Sequence, residues 1–196
     1  MPRLDRDFFA RDTLVVARKL LGQRLVHRVD GERLSGRIVE TEAYVGEADE
    51  ASHASCGPTA RNAAMYGPPG HAYVYLIYGI HHCLNTVTVR EGFPAAVLIR
   101  ALEPLEGLDR MRALRGGRPD RELTDGPGKL CQALEIDLDL NGADLCVSDA
   151  DLFLEAGERV DDDAIRAGPR IGVRGDETAL TAPWRFYVAE NPYVSR

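Results

Sequence analysis

Asp30-Gly31 stands between two segments of alternating character, residues 23–29 and 33–44. This dipeptide constrains the fold more than any other feature of the chain. Asp-Gly readily supplies the positive φ angles of a type I′ turn, whose twist matches that of antiparallel strands, so the flanking segments are expected to pair as a hairpin. The second arm is long and carries Glu40, Glu42 and Tyr44 at its far end, where an uncharged hydrophobic strand would suffice. Residues two apart in an extended chain project to the same side, so all three share a face. Periodicity therefore does not say which carboxylate does chemistry, although Tyr44 lies nearer Glu42. By default a strand-end glutamate is a solvated or ion-paired group. A carboxylate beside an aromatic face, however, suits a flat ligand and an activated water next to it.

The other elements follow from similar signals. Asp12-Thr13 before Leu14, Val15, Val16, Ala17, Leu20 and Leu21, with Gly22 after them, predicts a capped amphipathic helix. Residues 46–70 are polar and rich in Gly, Pro, Ala and Ser, which predicts a long loop over the site, and loops of that length are often functional. Residues 72–78, 83–90 and 95–101 predict three strands, the first two joined tightly near Gly79-Ile80. One helix is expected to start near Pro104, with Leu105, Leu108, Met111 and Leu114 on one face, and another to follow Asp125-Gly126-Pro127. Strands return at 152–155, 169–173 and 185–188. Together these elements predict an α+β fold: a single domain over residues 1–196, with a mostly antiparallel curved β-sheet covered by helices and a protruding β-hairpin.

A chain of 196 residues can bury one good core and is short for two ordinary domains. No apolar run approaches the roughly 20 residues that span a bilayer, so no membrane association is expected. Met1-Pro-Arg-Leu-Asp-Arg6 lacks the apolar core of a secretory signal. A cytoplasmic location is expected, nucleoid-associated in a bacterium. Cys56, Cys83, Cys131 and Cys146 are too dispersed for a zinc site or a disulfide scaffold, and the histidines show neither HxH nor HxxxH spacing, so no metal is expected. No phosphate-binding loop, dinucleotide fingerprint or serine-hydrolase elbow occurs, and no cofactor is expected.

The net charge of −7 does not attract a polyanion globally. Binding to nucleic acid would need a local basic surface. One candidate runs from Arg110 to Arg121 with five arginines and one aspartate; its default reading is a solvent-exposed helix face. Tyr73, Tyr75 and Tyr78 bring three of the seven tyrosines into six residues. Strand tyrosines are commonly half-buried packing. Tyr73 and Tyr75 share a face, whereas Tyr78 beside Gly79 falls at a hairpin tip, from which a ring can wedge into a DNA stack through the minor groove.

These segments resemble one family, the alkyladenine (3-methyladenine) DNA glycosylases. The matches run along nearly the whole chain: Leu4 to Phe9, Gly36 to Tyr44, Asp49 to His53, Tyr73 to Gly79, Asn85, Leu98 to Gly107, Gly126 to Leu134, Arg185 to Val188, and Tyr193 to Ser195. The resemblance implies a base-excision repair enzyme, a monomer acting on double-stranded DNA that contains alkylated purines. Such an enzyme flips 3-methyladenine or 7-methylguanine, with hypoxanthine and ethenoadenine as further substrates, and hydrolyses the N-glycosidic bond without lyase activity. By resemblance Glu42 is the general base and Arg100 helps it hold the attacking water. Tyr44 and Tyr75 sandwich the flipped base, His53 sits at its edge, and Asn85 lines the pocket. Tyr78 fills the gap left in the duplex, and Lys129 touches the DNA backbone. Two alternatives stay open on sequence: a recognition module that flips alkylated bases without cleaving them, and a nucleoside hydrolase.

Overall fold

The computed structural model describes residues 1–195. Two short helices, α1 (Arg6–Phe9) and α2 (Thr13–Leu20), lead into strands β1 (Arg24–Val29) and β2 (Glu32–Val45). Asp12 caps α2 by accepting from the Leu14 and Val15 amides, and Asp30 and Gly31 both take positive φ, as the expected turn requires. After a long loop come β3 (Ala72–Ile77), β4 (His81–Val87) and β5 (Ala95–Glu106), then helices α3 (Leu108–Leu114) and α4 (Pro127–Ala133). The chain ends with β6 (Leu152–Glu155), β7 (Ile165–Gly168), α5 (Glu177–Thr181) and β8 (Arg185–Val188).

The strands form one antiparallel sheet in the order β3-β4-β5-β2-β1-β6, with β8 bridging β2 and β7. This is the single α+β domain expected from the sequence. β2 is its spine: β5 lies along one side, while β1 covers the first half of the other side and β8 the second. Such a strand is buried on both faces and along both edges. β2 and β5 approach so closely at Gly36 that a Cβ there would lie 2.8 Å from Leu102 Cβ, which only glycine avoids.

Two bulges break the β2–β5 ladder near the carboxylates. Ile38 pairs with Leu102, Glu40 with Ala101 and Thr41 with Ile99, so Val39 and then Arg100 are the extra residues. A bulge re-aims the side chain it carries, and here it turns Arg100 toward Glu40 and Glu42. The main core gathers α2, α4 and one face of the sheet through Val16, Leu20, Ile38, Val74, Leu84, Ile99 and Leu130. Tyr73 alternates with Val74 and belongs instead to a smaller cluster with Ala54, Met65, Val87 and Ala96, under the long loop.

Two expectations are corrected. Pro104 does not open a helix: β5 continues to Glu106 and α3 begins at Leu108. Beyond Leu98, β5 has no strand on its outer edge; Leu102 N–H there donates to Thr124 O, and Pro104, two residues on, places its missing donor on the same edge. Residues 169–173 form no strand, because β7 ends at Gly168 and the chain turns over the site, with Gly172 at positive φ. Of the two default readings for a strand-end glutamate, solvated or ion-paired, the second holds: Glu40 and Glu42 are fully buried and lie against Arg100 and Arg185.

Candidate active site

The far end of β2, the loop over residues 46–70 and the turn after β7 enclose a cavity of about 330 Å³. Its walls include Tyr44, His53, Tyr75, Asn85, Arg100 and Ile171. Each arrives by a different route. β2 delivers Tyr44, β3 delivers Tyr75 and β4 delivers Asn85, whose side-chain amide donates to Tyr73 O at 3.1 Å. A 3-10 turn at His53–Cys56, capped by Ser52, brings in the imidazole. Asn62 holds that turn in place by donating to the His53 and Gly57 carbonyls. Sequence reasoning missed Asn62, although asparagine in a Gly/Pro-rich loop is a recognised turn signal.

The aromatic wall is ordered by edge contacts. His53 meets Tyr75 edge-on at 4.4 Å between centroids, Tyr73 lies 5.3 Å from Tyr75, and His53 Nδ1 is 2.8 Å from the Tyr73 hydroxyl. Burial, reinforced by the nearby Arg61 cation, pushes the His53 pKa below its ordinary value, so the ring is neutral at pH 7. Burial pushes the Tyr75 hydroxyl well up, and it raises Tyr73 to about 12. Burial and then the Glu42 charge do the same for Tyr44. All three tyrosines are therefore neutral, and the Cys83 thiol in the cavity wall is likewise pushed up by burial.

Glu42 stands one layer behind this wall. Its Oε2 accepts from the Tyr44 hydroxyl at 2.9 Å and from Arg100 Nη1 at 3.2 Å, and its Oε1 accepts from Ile171 N at 2.7 Å. Ile171 lies in the turn that replaces the expected strand, so its amide is free to serve Glu42 rather than a ladder. Glu40 is saturated differently: Arg185 Nε donates at 2.5 Å, Ser195 N at 2.7 Å, and Arg100 Nε lies 3.4 Å away. Two buried carboxylates thus stand against two guanidiniums, Arg100 buried and Arg185 partly exposed. Only Glu42 reaches residues that line the cavity from both sides.

A model described as methylpurine-DNA glycosylase matches residues 7–192. The chain belongs to that family. A protein of Methanocella arvoryzae, provisionally named a 3-methyladenine DNA glycosylase, is 55% identical over 197 residues, which span 100% of this chain and 97% of its own length. Relatives of the same provisional name from Alkaliphilus oremlandii and Carboxydothermus hydrogenoformans are 47% and 50% identical, spanning 99% and 98% of this chain and the same shares of their own. Membership supports a DNA glycosylase role, with DNA as the substrate.

On this glycosylase the remaining candidate residues lie outside the cavity. Tyr78 is 84% exposed at the tip of the β3–β4 hairpin, beside Ile80 at 71%. Tyr78 and Gly79 take φ of 54° and 72°, and Ile80 N donates to Ile77 O at 3.2 Å, closing a tight three-residue connection between the paired Ile77 and His81. A tyrosine in the left-handed region is uncommon and strained. Lys129 on α4 is bound to Asp125 at 2.8 Å and faces a separate cleft with Arg121, Glu122 and Pro192. The basic run from Arg110 to Arg121 is not a free cationic surface. Arg110 pairs with Asp30, Glu32 and Glu135, Arg112 with Asp109 and Asp120, and Arg118 and Arg121 lie beside Glu122. Among the described residues no helix is long and apolar enough to cross a membrane.

Proposed function

We propose that this chain excises alkylated purines, 3-methyladenine and 7-methylguanine first among them, by flipping the base from duplex DNA into the cavity and hydrolysing its N-glycosidic bond. The observation that carries this reading is the position of Glu42. Its Oε2 already accepts from Tyr44 and Arg100, both of which line the cavity in front of it. A water entering between them meets carboxylate and guanidinium together, the pairing needed to deprotonate it and hold it against C1′. An alkylated purine carries positive charge and leaves readily, so an oxocarbenium-like sugar needs the activated water more than a second carboxylic acid.

Tyr44 and Tyr75 supply the stacking faces. Stacking contributes roughly 1–3 kcal/mol per base, and a cationic base gains a further 0.5–2 kcal/mol, roughly, on electron-rich rings. These gains offset a flipping cost of a few kcal/mol, which is smaller for a poorly paired lesion. Tyr78 fits the role of a wedge: the tip is exposed, apolar and braced by a tight turn. Its base is supported by α4, where Gly128 lies so close to His81 that a Cβ would sit 3.0 Å from the His81 Cβ. The chain contains only two lysines, Lys19 and Lys129, and neither lines the cavity. Without a lysine amine at the cavity for a Schiff base the product is an abasic site, and the enzyme acts as a monofunctional glycosylase, a monomer on its DNA.

The test is base release from duplexes containing 7-methylguanine or 3-methyladenine, with strand cleavage scored before and after alkali. Release by the wild type, loss of release in Glu42→Gln, and strand cleavage only after alkali are expected. Absence of release by the wild type, or equal release by both proteins, overturns the reading; binding without release would instead support a recognition module. Tyr78→Ala is expected to weaken binding to lesion-bearing duplex by about ten- to a hundred-fold, the value of one stacked aromatic, measured by fluorescence anisotropy. Free nucleoside cleavage should not respond to it, so a nucleoside hydrolase would show no change in either assay.

A further inference from the structure

Behind Tyr44 lies a charge pair that the excision chemistry does not use. Arg170 and Asp49 are both buried and share two parallel bonds, Nη1 to Oδ2 at 2.6 Å and Nη2 to Oδ1 at 2.7 Å. The same guanidinium donates to the Ala43 and Ala179 carbonyls, and the same carboxylate accepts from the Val45 and Ala51 amides. The Arg170 guanidinium carbon lies 4.7 Å from the Tyr44 ring centroid and 4.9 Å from that of Trp184. The cation thus lies over both aromatic rings, and of the three residues Tyr44, Arg170 and Asp49 it is Tyr44 that lines the cavity.

That placement has an electrostatic consequence. A cation on one face of a ring gains from its quadrupole, but two cations on opposite faces of the same ring repel each other through it. Left alone, Arg170 would therefore oppose a positively charged ligand stacked on the front of Tyr44. Asp49 sits where it cancels that field. The buried Glu40 and Glu42 likewise lie against Arg100 and the partly exposed Arg185. The wall at Tyr44 consequently presents a ring with a compensated charge pair beside it, whereas the Arg61 guanidinium lies 5.6 Å from the Tyr75 centroid and is common to all the variants compared below.

We propose that the Asp49–Arg170 pair sets the preference of this cavity for positively charged over neutral purines, with Asp49 cancelling the Arg170 charge that would otherwise act on the base through Tyr44. The inference rests on the reading that Tyr44 stacks on the excised base. A unit charge acting over roughly 8–11 Å at an effective dielectric of about 20 changes binding by about ten-fold, and a neutral base does not feel it to first order. Asp49 and Arg170 are positioning and tuning residues here, since neither reaches the cavity.

The experiment compares single-turnover release of cationic 7-methylguanine with that of a neutral lesion, hypoxanthine or ethenoadenine, whichever the wild type releases faster, from otherwise identical duplexes. Asp49→Asn is expected to lower the cationic-to-neutral rate ratio about ten-fold, and Arg170→Gln to raise it several-fold. Loosened packing would lower both rates and move the ratio the same way in both variants; opposite movement is the signature of charge. Circular dichroism and the fluorescence of Trp184, the only tryptophan, report whether each variant is folded. Should either fail to fold, Arg170→Lys keeps the charge and is expected to hold the ratio within about two-fold, whatever happens to the absolute rates. An unmoved ratio in Asp49→Asn and Arg170→Gln, a shift of the same sign in both, or a lost preference in Arg170→Lys overturns the proposal while leaving the excision reading intact. A wild type that releases no base overturns both.

Discussion

Glu42→Gln is expected to reduce single-turnover release of 7-methylguanine by about 100- to 10,000-fold, the usual contribution of a positioned general base. The substitution is nearly isosteric. Its amide oxygen can still accept from Ile171 N or from Arg100, but at least one of the three donors now at Glu42 meets the NH2 group instead. Some loss of stability is therefore expected alongside the loss of chemistry, and the two are separated by measuring release well below the thermal midpoint of the variant. Lesion binding by the folded variant should persist, because the stacking faces of Tyr44 and Tyr75 are untouched. A variant that retains release within ten-fold of wild type would remove Glu42 from the mechanism and leave the cavity as a recognition site.

Glu40→Ala is expected to act on stability instead, with a cost of about 3–5 kcal/mol. Glu40 holds Arg185 and the Ser195 amide and lies against Arg100. Its removal leaves the buried Arg100 and the partly exposed Arg185 facing a single carboxylate, and a buried charge stripped of its partner costs far more than the pair ever gains. At roughly 2–4 °C per kcal/mol for a domain of this size, the thermal midpoint should fall by about 6–20 °C. Glu40→Gln, which keeps an acceptor for Arg185, is the companion variant, and it is expected to lower release less than ten-fold. Loss of release in Glu40→Gln comparable with that in Glu42→Gln would show that the two carboxylates cannot be assigned separate roles.

That contrast marks the point where reading the sequence stopped. Alternation along β2 placed Glu40, Glu42 and Tyr44 on one face and could go no further, because strand parity treats positions two apart as equivalent. The Arg100 bulge and the turn at Ile171 separate them, and both depend on partners distant in sequence: β5 on one side and the segment after β7 on the other. The expected strand over 169–173 failed for the same reason. Pro169 to Val173 reads as a strand until one sees that the Ile171 amide is engaged by a carboxylate 129 residues away, and the strand that does form, β7, lies just before it. Pro104 misled because a helix-start signal and an unpaired strand edge both tolerate a missing N–H, and only the ladder tells them apart.

Local chemistry was legible wherever a residue type answers to its own neighbourhood. Asp30-Gly31 set the first hairpin, Asp12 capped α2, Gly79 closed the tip that exposes Tyr78, and the order of motifs named the family and the side chains around the cavity. Charge was not legible in this way. The sequence states a net charge and an arginine-rich run, but electrostatic function depends on which charges meet, and pairing is a through-space property. Folding pairs Arg110 and Arg112 with Asp30, Glu135, Asp109 and Asp120, buries Glu42 against the Tyr44 hydroxyl, and seats Arg170 on Asp49 beside the Tyr44 ring. Sequence alone determined which groups are available to the site; the tertiary structure decided which are exposed, which are paired and which face the cavity, because desolvation and Coulomb energy depend on distances that no spacing along the chain encodes.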